Sequence, residues 1–132
     1  MSKFLGQYNP NITDGSRIAL PKKLRQHVRG GKVVLSKGFE RCIFVYDKKD
    51  WIETAQRKVE NPRKDVDTEE LERYLYTSAS EASMDSQGRI VIPSDLIEYA
   101  KINGKTAVLG VGDHIEIWDN DRWQDYLNKV SN

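Results

Sequence analysis

The sequence predicts an α+β fold made of two similar halves that pair with each other as an internal pseudo-dimer. One observation is that "TDGSRIALP" at 13–21 and "MDSQGRIVIP" at 84–93 both lead from an acidic turn into arginine, isoleucine, two apolar residues and proline. A second is that short apolar strands and amphipathic helices follow in the same order in each half. A half of this size has little core of its own. We therefore expect the halves to exchange strands and to share one β-barrel-like core with flanking helices.

A shift of 72 residues extends the repeat over most of the chain. Eight residues are identical at this spacing: Arg17/Arg89, Ile18/Ile90, Pro21/Pro93, Leu24/Leu96, Gly38/Gly110, Ile43/Ile115, Asp47/Asp119 and Trp51/Trp123. Matches that include glycine, proline and tryptophan indicate a true duplication. The predicted boundaries are a first repeat at 3–59, a linker and helix at 60–74, and a second repeat at 75–130.

Within each repeat the element order follows from local patterns. The strands "RIALP" and "RIVIP" end at Pro21 and Pro93, and each proline can begin a short helix. The segment "CIFVY" at 42–46 is apolar throughout and predicts a buried strand, whereas "HIEIW" at 114–118 alternates and predicts a strand with one solvated face. Asp47 and Asp119 precede the closing helices and are suited to cap them.

Composition bounds the class of protein. The chain has 132 residues, of which 38% are hydrophobic and 31% charged, so it fits one globular domain rather than a disordered chain. The sequence has no apolar run long enough to cross a bilayer, and its start lacks the apolar stretch of a signal peptide. Cys42 is the only cysteine, which excludes a disulfide framework and a thiolate metal cluster. We expect a soluble, cytoplasmic protein.

Charge is distributed unevenly. The net charge is +1, but residues 1–32 carry seven basic residues and one acidic residue, a net charge of +6. This asymmetry is typical of a protein that presents one basic face to a polyanion, although a solvated basic helix would give the same pattern.

The turn "DSQGR" at 85–89 places opposite charges close together. Asp85 can cap the backbone N–H groups of the turn, Gly88 can supply a positive φ, and Arg89 can bond back to the aspartate. Two interpretations stay open: a local ion pair that stabilises the turn, or an aspartate that orients an arginine toward a phosphate or a guanine edge. The basic excess around Arg17 favours binding for the first copy of the turn.

Catalysis is not indicated. His27 and His114 are the only histidines, they occupy non-equivalent positions in the repeat, and neither has metal-ligand spacing. We predict no catalytic residue, no metal, no cofactor and no small-molecule substrate.

The duplicated unit resembles the MraZ family, whose halves are AbrB/SpoVT-like. The resemblance lies in Asp-x-x-x-Arg at a turn followed by Ile/Leu-x-x-Pro, and in "FLGQY", "LSKGFERCIFVYDKKDW", "ASEASMDSQGRIVIPSDLIEYA" and "VLGVGDHIEIWDNDRWQDYL". It covers almost the whole chain. It implies a DNA-binding transcriptional regulator of the division and cell-wall gene cluster, associated with the nucleoid. It also implies a homo-oligomeric ring, an octamer or similar, that binds tandem repeats in double-stranded DNA of its own promoter.

The first motif departs from the family pattern. Arg17 is present, but Thr13 stands four residues before it, with the aspartate one place later at Asp14, and Gly15-Ser16 replaces lysine-glycine. We expect Thr13 or Asp14 to cap this turn.

Each candidate binding residue has an expected role. Arg17 is expected to contact base edges, and the candidate phosphate contacts are Lys3, Lys22, Lys23 and Arg25. The second motif is expected to serve structure and assembly, because its surroundings are acidic. Two alternatives remain: an AbrB-like antitoxin with a protein partner, or a structural ring without DNA binding.

Overall fold

The computed structural model describes residues 3–60 and 67–131, and its mixture of helices with antiparallel sheet confirms the α+β class. The described strands are β1 (Phe4–Tyr8), β2 (Arg17–Ala19), β3 (Lys32–Lys37), β4 (Ile43–Asp47), β5 (Ser80–Ser83), β6 (Arg89–Val91), β7 (Thr106–Gly112) and β8 (Ile115–Asp119). The described α-helices are α1 (Lys22–Arg25), α2 (Trp51–Glu60), α3 (Thr68–Thr77), α4 (Ser94–Ala100) and α5 (Asn120–Ser131). Residues 61–66, the central part of the predicted linker, lie outside the described residues.

Two sets of strands organise the molecule. Six strands form an antiparallel sheet in the order β1-β7-β8-β4-β3-β5, and β2 pairs with β6 in a separate two-stranded ribbon. The halves meet at the β4–β8 pair, where Phe44 lies opposite Glu116, and in the ribbon, where Ile18 lies opposite Ile90. The residues of both pairs are 72 positions apart, so each faces its own counterpart in the other repeat. The structure therefore has a pseudo-two-fold axis through both pairs.

The repeats exchange strands, as the sequence predicts. β1 of the first repeat pairs with β7 of the second over five residues, and β5 lies against β3 of the first repeat. Neither half completes its own sheet, and the core is shared.

The α+β class is confirmed, but the described strands form no closed barrel. β1 and β5 are the two edges of the six-stranded sheet, and β2 and β6 pair with each other instead of joining those edges. Pro21 and Pro93 stand two residues after these three-residue strands, and proline lacks the N–H that a longer ladder would need. One apolar cluster of the core therefore lies between an open sheet and a ribbon.

The sheet separates two clusters of buried side chains. Along β4, Ile43 and Val45 point toward the ribbon and the helices α1 and α4, whereas Phe44 and Tyr46 point toward α3 and α5. The alternation of side chains along a strand gives each face its own apolar layer. Residues 42–46 are all buried, which confirms the expectation for "CIFVY".

The expectation of a solvated face on "HIEIW" is wrong. His114, Ile115, Ile117 and Trp118 are buried, and the Glu116 side chain is only 17% exposed. Glu116 accepts a hydrogen bond of 2.9 Å from the indole Nε1 of Trp118, and the rings of Trp123 and Tyr126 on α5 pack against Trp118 in edge-on and tilted contacts. A polar residue with partners can therefore lie on a covered face.

The helix starts follow local chemistry. Pro21 and Pro93 occupy the N-cap positions of α1 and α4. Asp119 accepts a hydrogen bond of 3.4 Å from the N–H of Arg122 and caps α5 as predicted. Asp47 accepts one of 3.2 Å from the N–H of Lys49, so it caps the short 3-10 turn at 48–50 that leads into α2 rather than α2 itself.

The helix predicted after the linker, within 60–74, is present as α3, which continues to Thr77. Its Leu71 and Leu75 are buried in the second cluster. Across the described residues, no helix combines the length and the apolar character that a membrane span requires.

Candidate nucleic-acid interface

The ribbon presents four side chains outward. Ile18 and Ile90 at its centre are 0% and 1% exposed, so the residues on either side of them face away from the core. We call Arg17, Ala19, Arg89 and Val91 the outer face of the ribbon. In the register, Arg17 lies opposite Val91 and Ala19 lies opposite Arg89. The arginines of the two repeated motifs therefore share one surface, on a diagonal across the ribbon.

The second turn holds its arginine tightly. The Asp85 carboxylate accepts hydrogen bonds of 2.9 Å from the backbone N–H groups of Gln87 and Arg89, and Arg89 Nε donates to it at 2.8 Å. Gly88 has φ +76°, a conformation that favours glycine. The predicted cap, positive φ and ion pair are all present. The backbone N–H of Arg89, followed by its side chain, lowers the pKa of Asp85.

The first turn leaves its arginine without a carboxylate. Thr13 Oγ1 donates to the carbonyl of Arg17 at 3.3 Å, so Thr13 closes the turn, whereas the side chain of Asp14 bonds to no described residue. Arg17 is exposed, and among the described residues its guanidinium donates only to the backbone carbonyl of Asp14, at 3.4 Å. Within the described part of the chain its guanidinium forms no ion pair. Among the described residues, no backbone N–H of this turn donates to the side chain of Thr13 or Asp14, so the expected cap is not present, and paired backbone hydrogen bonds between Thr13 and Arg17 close the turn.

Lys22 and Lys23 follow β2 at the start of α1. Both are exposed, and neither forms a hydrogen bond or an ion pair with a described side chain. The equivalent positions of the second repeat are Ser94 and Asp95. The surface beside Arg17 is therefore more basic than the surface beside Arg89.

Arg25 has a different position from these lysines. Its guanidinium donates to the carbonyls of Leu20 at 3.1 Å and Gln87 at 3.2 Å, and it lies against Gly88. It joins α1 of the first repeat to the turn of the second. The phosphate contact predicted for Arg25 stays a prediction, and its guanidinium already donates two hydrogen bonds inside the protein.

Lys3 lies in an ion-pair cluster away from the ribbon. Its ammonium donates to Asp47 at 3.1 Å and to Asp50 at 2.9 Å, and Arg29 bonds to the same two carboxylates. Burial alone would raise the pKa of Asp47, but the hydrogen bonds from Arg29 and Lys3 outweigh it and lower that pKa. The phosphate contact predicted for Lys3 also stays a prediction, and here the charge is neutralised within the fold.

Sequence reasoning missed two features of this surface. It did not find Val91, which is 50% exposed beside Arg17, because the outward side of a strand depends on the register. It also did not find that Arg25 crosses to the second turn, since the two segments are 62 residues apart. Among the described residues, no three histidine, cysteine or acidic side chains are placed to hold a metal ion.

The fold and the ribbon define a class: a duplicated, strand-exchanged α+β protein with a basic two-stranded ribbon on its surface. A family described as "MraZ protein, putative antitoxin-like" matches residues 3–74 and again 75–132. The chain belongs to the MraZ family.

Curated relatives agree with this assignment. A protein named "Transcriptional regulator MraZ" from Moorella thermoacetica is 35% identical over 97% of this chain and 89% of its own length. A protein of the same name from Desulforamulus reducens is 34% identical over 93% of this chain and 86% of its own length. Another from Roseiflexus castenholzii is 37% identical over 96% of this chain and 88% of its own length. Transcriptional regulation is not an enzymatic activity.

Proposed function

We propose that the chain is a sequence-specific DNA-binding transcriptional regulator and that its ribbon contacts base edges in the major groove. The observation that carries the proposal is the outer face of the ribbon, where Arg17 stands exposed with no carboxylate partner among the described residues. The major groove of B-DNA admits a two-stranded β-ribbon, and an arginine can donate two hydrogen bonds to O6 and N7 of guanine. Arg17 supplies the base contact.

Lys22 and Lys23 supply the phosphate contacts that position the ribbon. They are exposed, unpaired within the described residues and adjacent in sequence to β2. Contacts of this kind fix the orientation of a protein on a duplex without carrying sequence information. Arg25 and Lys3 follow as weaker candidates, because both already bond to protein oxygens.

Assembly multiplies the contacts. One ribbon covers a few base pairs, whereas a ring of subunits, an octamer or similar, reaches successive DNA repeats at a high effective concentration. We assign the turn of Asp85, Gly88 and Arg89 to structure and assembly. The proposed targets are tandem repeats in the promoter of its own operon, within the division and cell-wall gene cluster, and the protein is then cytoplasmic and associated with the nucleoid.

The test is binding to a labelled duplex from immediately upstream of its own gene, compared with a scrambled duplex, across a salt series. Wild type should prefer the native duplex, and its affinity should fall steeply as the salt concentration rises. Arg17→Ala should lose the preference by roughly 5- to 150-fold for each base contact, the factor that corresponds to one bidentate arginine–guanine pair. Arg73→Ala is the matched control, because Arg73 is exposed on α3, on the other face of the sheet.

Each result separates the possibilities. Equal weakening of both duplexes by Arg17→Ala would make Arg17 a phosphate contact. If wild type binds neither duplex, a structural ring without DNA binding is the better account.

A further inference from the structure

The outer face of the ribbon carries two aliphatic side chains as well as two arginines. Val91 is 50% exposed, while its neighbours Ile90 and Ile92 are each 1% exposed. The strand therefore buries two large aliphatic residues and turns the one between them toward solvent. Ala19 is the equivalent residue of the first repeat.

The register gives each arginine a different neighbour. Arg17, which has no carboxylate partner among the described residues, lies directly opposite Val91, and Arg89, which is held by Asp85, lies opposite Ala19. Side chains directly opposite in an antiparallel pair have Cβ atoms about 5 Å apart. The unpaired guanidinium and the larger aliphatic group therefore form one adjacent pair on the ribbon.

This pair matches the chemistry of two neighbouring bases. Guanine presents O6 and N7 in the major groove, and thymine presents its C5 methyl group there. Successive bases on a strand are about 3.4 Å apart, so side chains about 5 Å apart can contact neighbouring steps. An exposed aliphatic side chain next to the guanine-binding arginine is well placed to cover a methyl group.

We propose that Val91 contacts the C5 methyl group of a thymine next to the guanine bound by Arg17. The inference rests on the proposed function and adds a second specificity-determining residue. The second repeat then contributes Val91, on β6, to base recognition, while Arg89 stays hydrogen-bonded to the Asp85 carboxylate.

The experiment removes the methyl group alone. The native upstream duplex is amplified with deoxyuridine triphosphate in place of thymidine triphosphate, which leaves base pairing intact. Wild type should bind the uracil duplex more weakly than the thymine duplex, by about fourfold for each contacted thymine, the factor expected for burial of one methyl-sized group. Val91→Ala should bind the thymine duplex about as weakly as wild type binds the uracil duplex, and should no longer distinguish the two.

Two further variants keep the test interpretable. Val130→Ala removes the same atoms from a valine that is 61% exposed on α5, and should keep the wild-type ratio of the two affinities. Val91→Thr keeps the β-branched shape and one methyl group, and should retain part of the discrimination. Thermal unfolding of each variant checks that the fold is unchanged.

Single substitutions then locate the contact. Replacing a guanine of the thymine duplex with 7-deazaguanine removes N7, one of the two acceptors that Arg17 uses. At the guanine that Arg17 contacts, this replacement should weaken binding of wild type but not of Arg17→Ala; at every other guanine it should affect the two proteins equally. The uracil substitution that weakens wild type should lie next to that guanine.

The outcomes distinguish the two proposals. If wild type binds thymine and uracil duplexes equally but still prefers native over scrambled sequence, this inference fails and the proposed function stands. The same holds if Val91→Ala keeps the wild-type ratio. Absence of binding to the thymine duplex would overturn both.

Discussion

The two turns that precede the ribbon strands occupy equivalent places in the repeat, yet they hold their arginines differently. The Asp85 carboxylate accepts hydrogen bonds from two backbone N–H groups and from Nε of Arg89, whereas the hydroxyl of Thr13, the equivalent residue, donates to the carbonyl of Arg17. Arg89 is held within its turn by an ion pair, and Arg17 forms no ion pair with a described residue. The difference shows that duplication supplies two copies of a scaffold whose turns hold their arginines differently. Under the proposed function the first turn is the binding copy and the second is the structural copy.

The largest expected effect concerns the left-handed position of each turn. Gly88 has φ +76°, and a Cβ there would overlap the side chain of Arg25. Gly88→Ala should lower the free energy of unfolding by about 2–3 kcal/mol, since a left-handed alanine costs about 1–2 kcal/mol and Arg25 must also give up its hydrogen bonds. Ser16 is the equivalent residue and already has φ 56° with a Cβ, so Ser16→Ala should cost less than about 0.5 kcal/mol. Urea unfolding measures both.

A double variant sharpens this test. In an Arg25→Ala background the overlap is gone, so Gly88→Ala should cost only the backbone part of its effect. If Gly88→Ala lowers the free energy of unfolding equally with and without Arg25→Ala, Arg25 does not hold the second turn.

The next effect is the pH dependence that Asp85 brings to the second turn. Its hydrogen bonds lower its pKa in the folded protein, so its contribution to stability is present above the unfolded value of about 3.9 and is lost as the pH falls through the lower folded value. Asp85→Asn should therefore be less stable than wild type at neutral pH, and the difference should shrink as the solution is acidified below about pH 4.

Asp14→Asn is the matched control, because the Asp14 side chain accepts none of these hydrogen bonds. Urea unfolding of the three proteins between neutral pH and about pH 3 gives the comparison. A gap between Asp85→Asn and wild type that stays constant over this range would show that the stability lost in the variant does not come from the ionised carboxylate.

Several features of the fold were accessible from sequence because they depend on local chemistry or on the repeat. Asp85, Gly88 and Arg89 form the predicted turn, since the hydrogen bonds of the Asp85 carboxylate all lie within five residues. The exchange of strands followed from the small size of each half. The pairing of Ile18 with Ile90 also agrees with a repeat spacing of 72.

Other features depend on partners distant in the chain. Lys3 is 44 residues from Asp47, so proximity in sequence to other basic residues could not show that its charge is neutralised. The alternation in "HIEIW" shows which residues are polar, not which are exposed. Glu116 forms hydrogen bonds with His114 and Trp118 and is covered by α5. The placement of Val91 beside Arg17 required the register of β2 on β6. Sequence therefore predicted the arginine of the interface but not its neighbour.

The smallest expected effect comes from giving the first turn the carboxylate that it lacks. Thr13→Asp places an aspartate four residues before Arg17, and in the second turn the equivalent pair joins Asp85 Oδ2 to Nε of Arg89 at 2.8 Å. The terminal nitrogens of Arg17 would remain available for a guanine, because the new ion pair would use Nε. Stability should rise by about 0.5 kcal/mol, as for an exposed ion pair. Affinity for native and scrambled duplexes should fall by the same small factor, since the added negative charge is repelled by phosphates. Loss of the preference itself in the same salt series would show that base recognition requires the whole guanidinium of Arg17 to be free, and that the departure at Thr13 is what makes the first turn the binding copy.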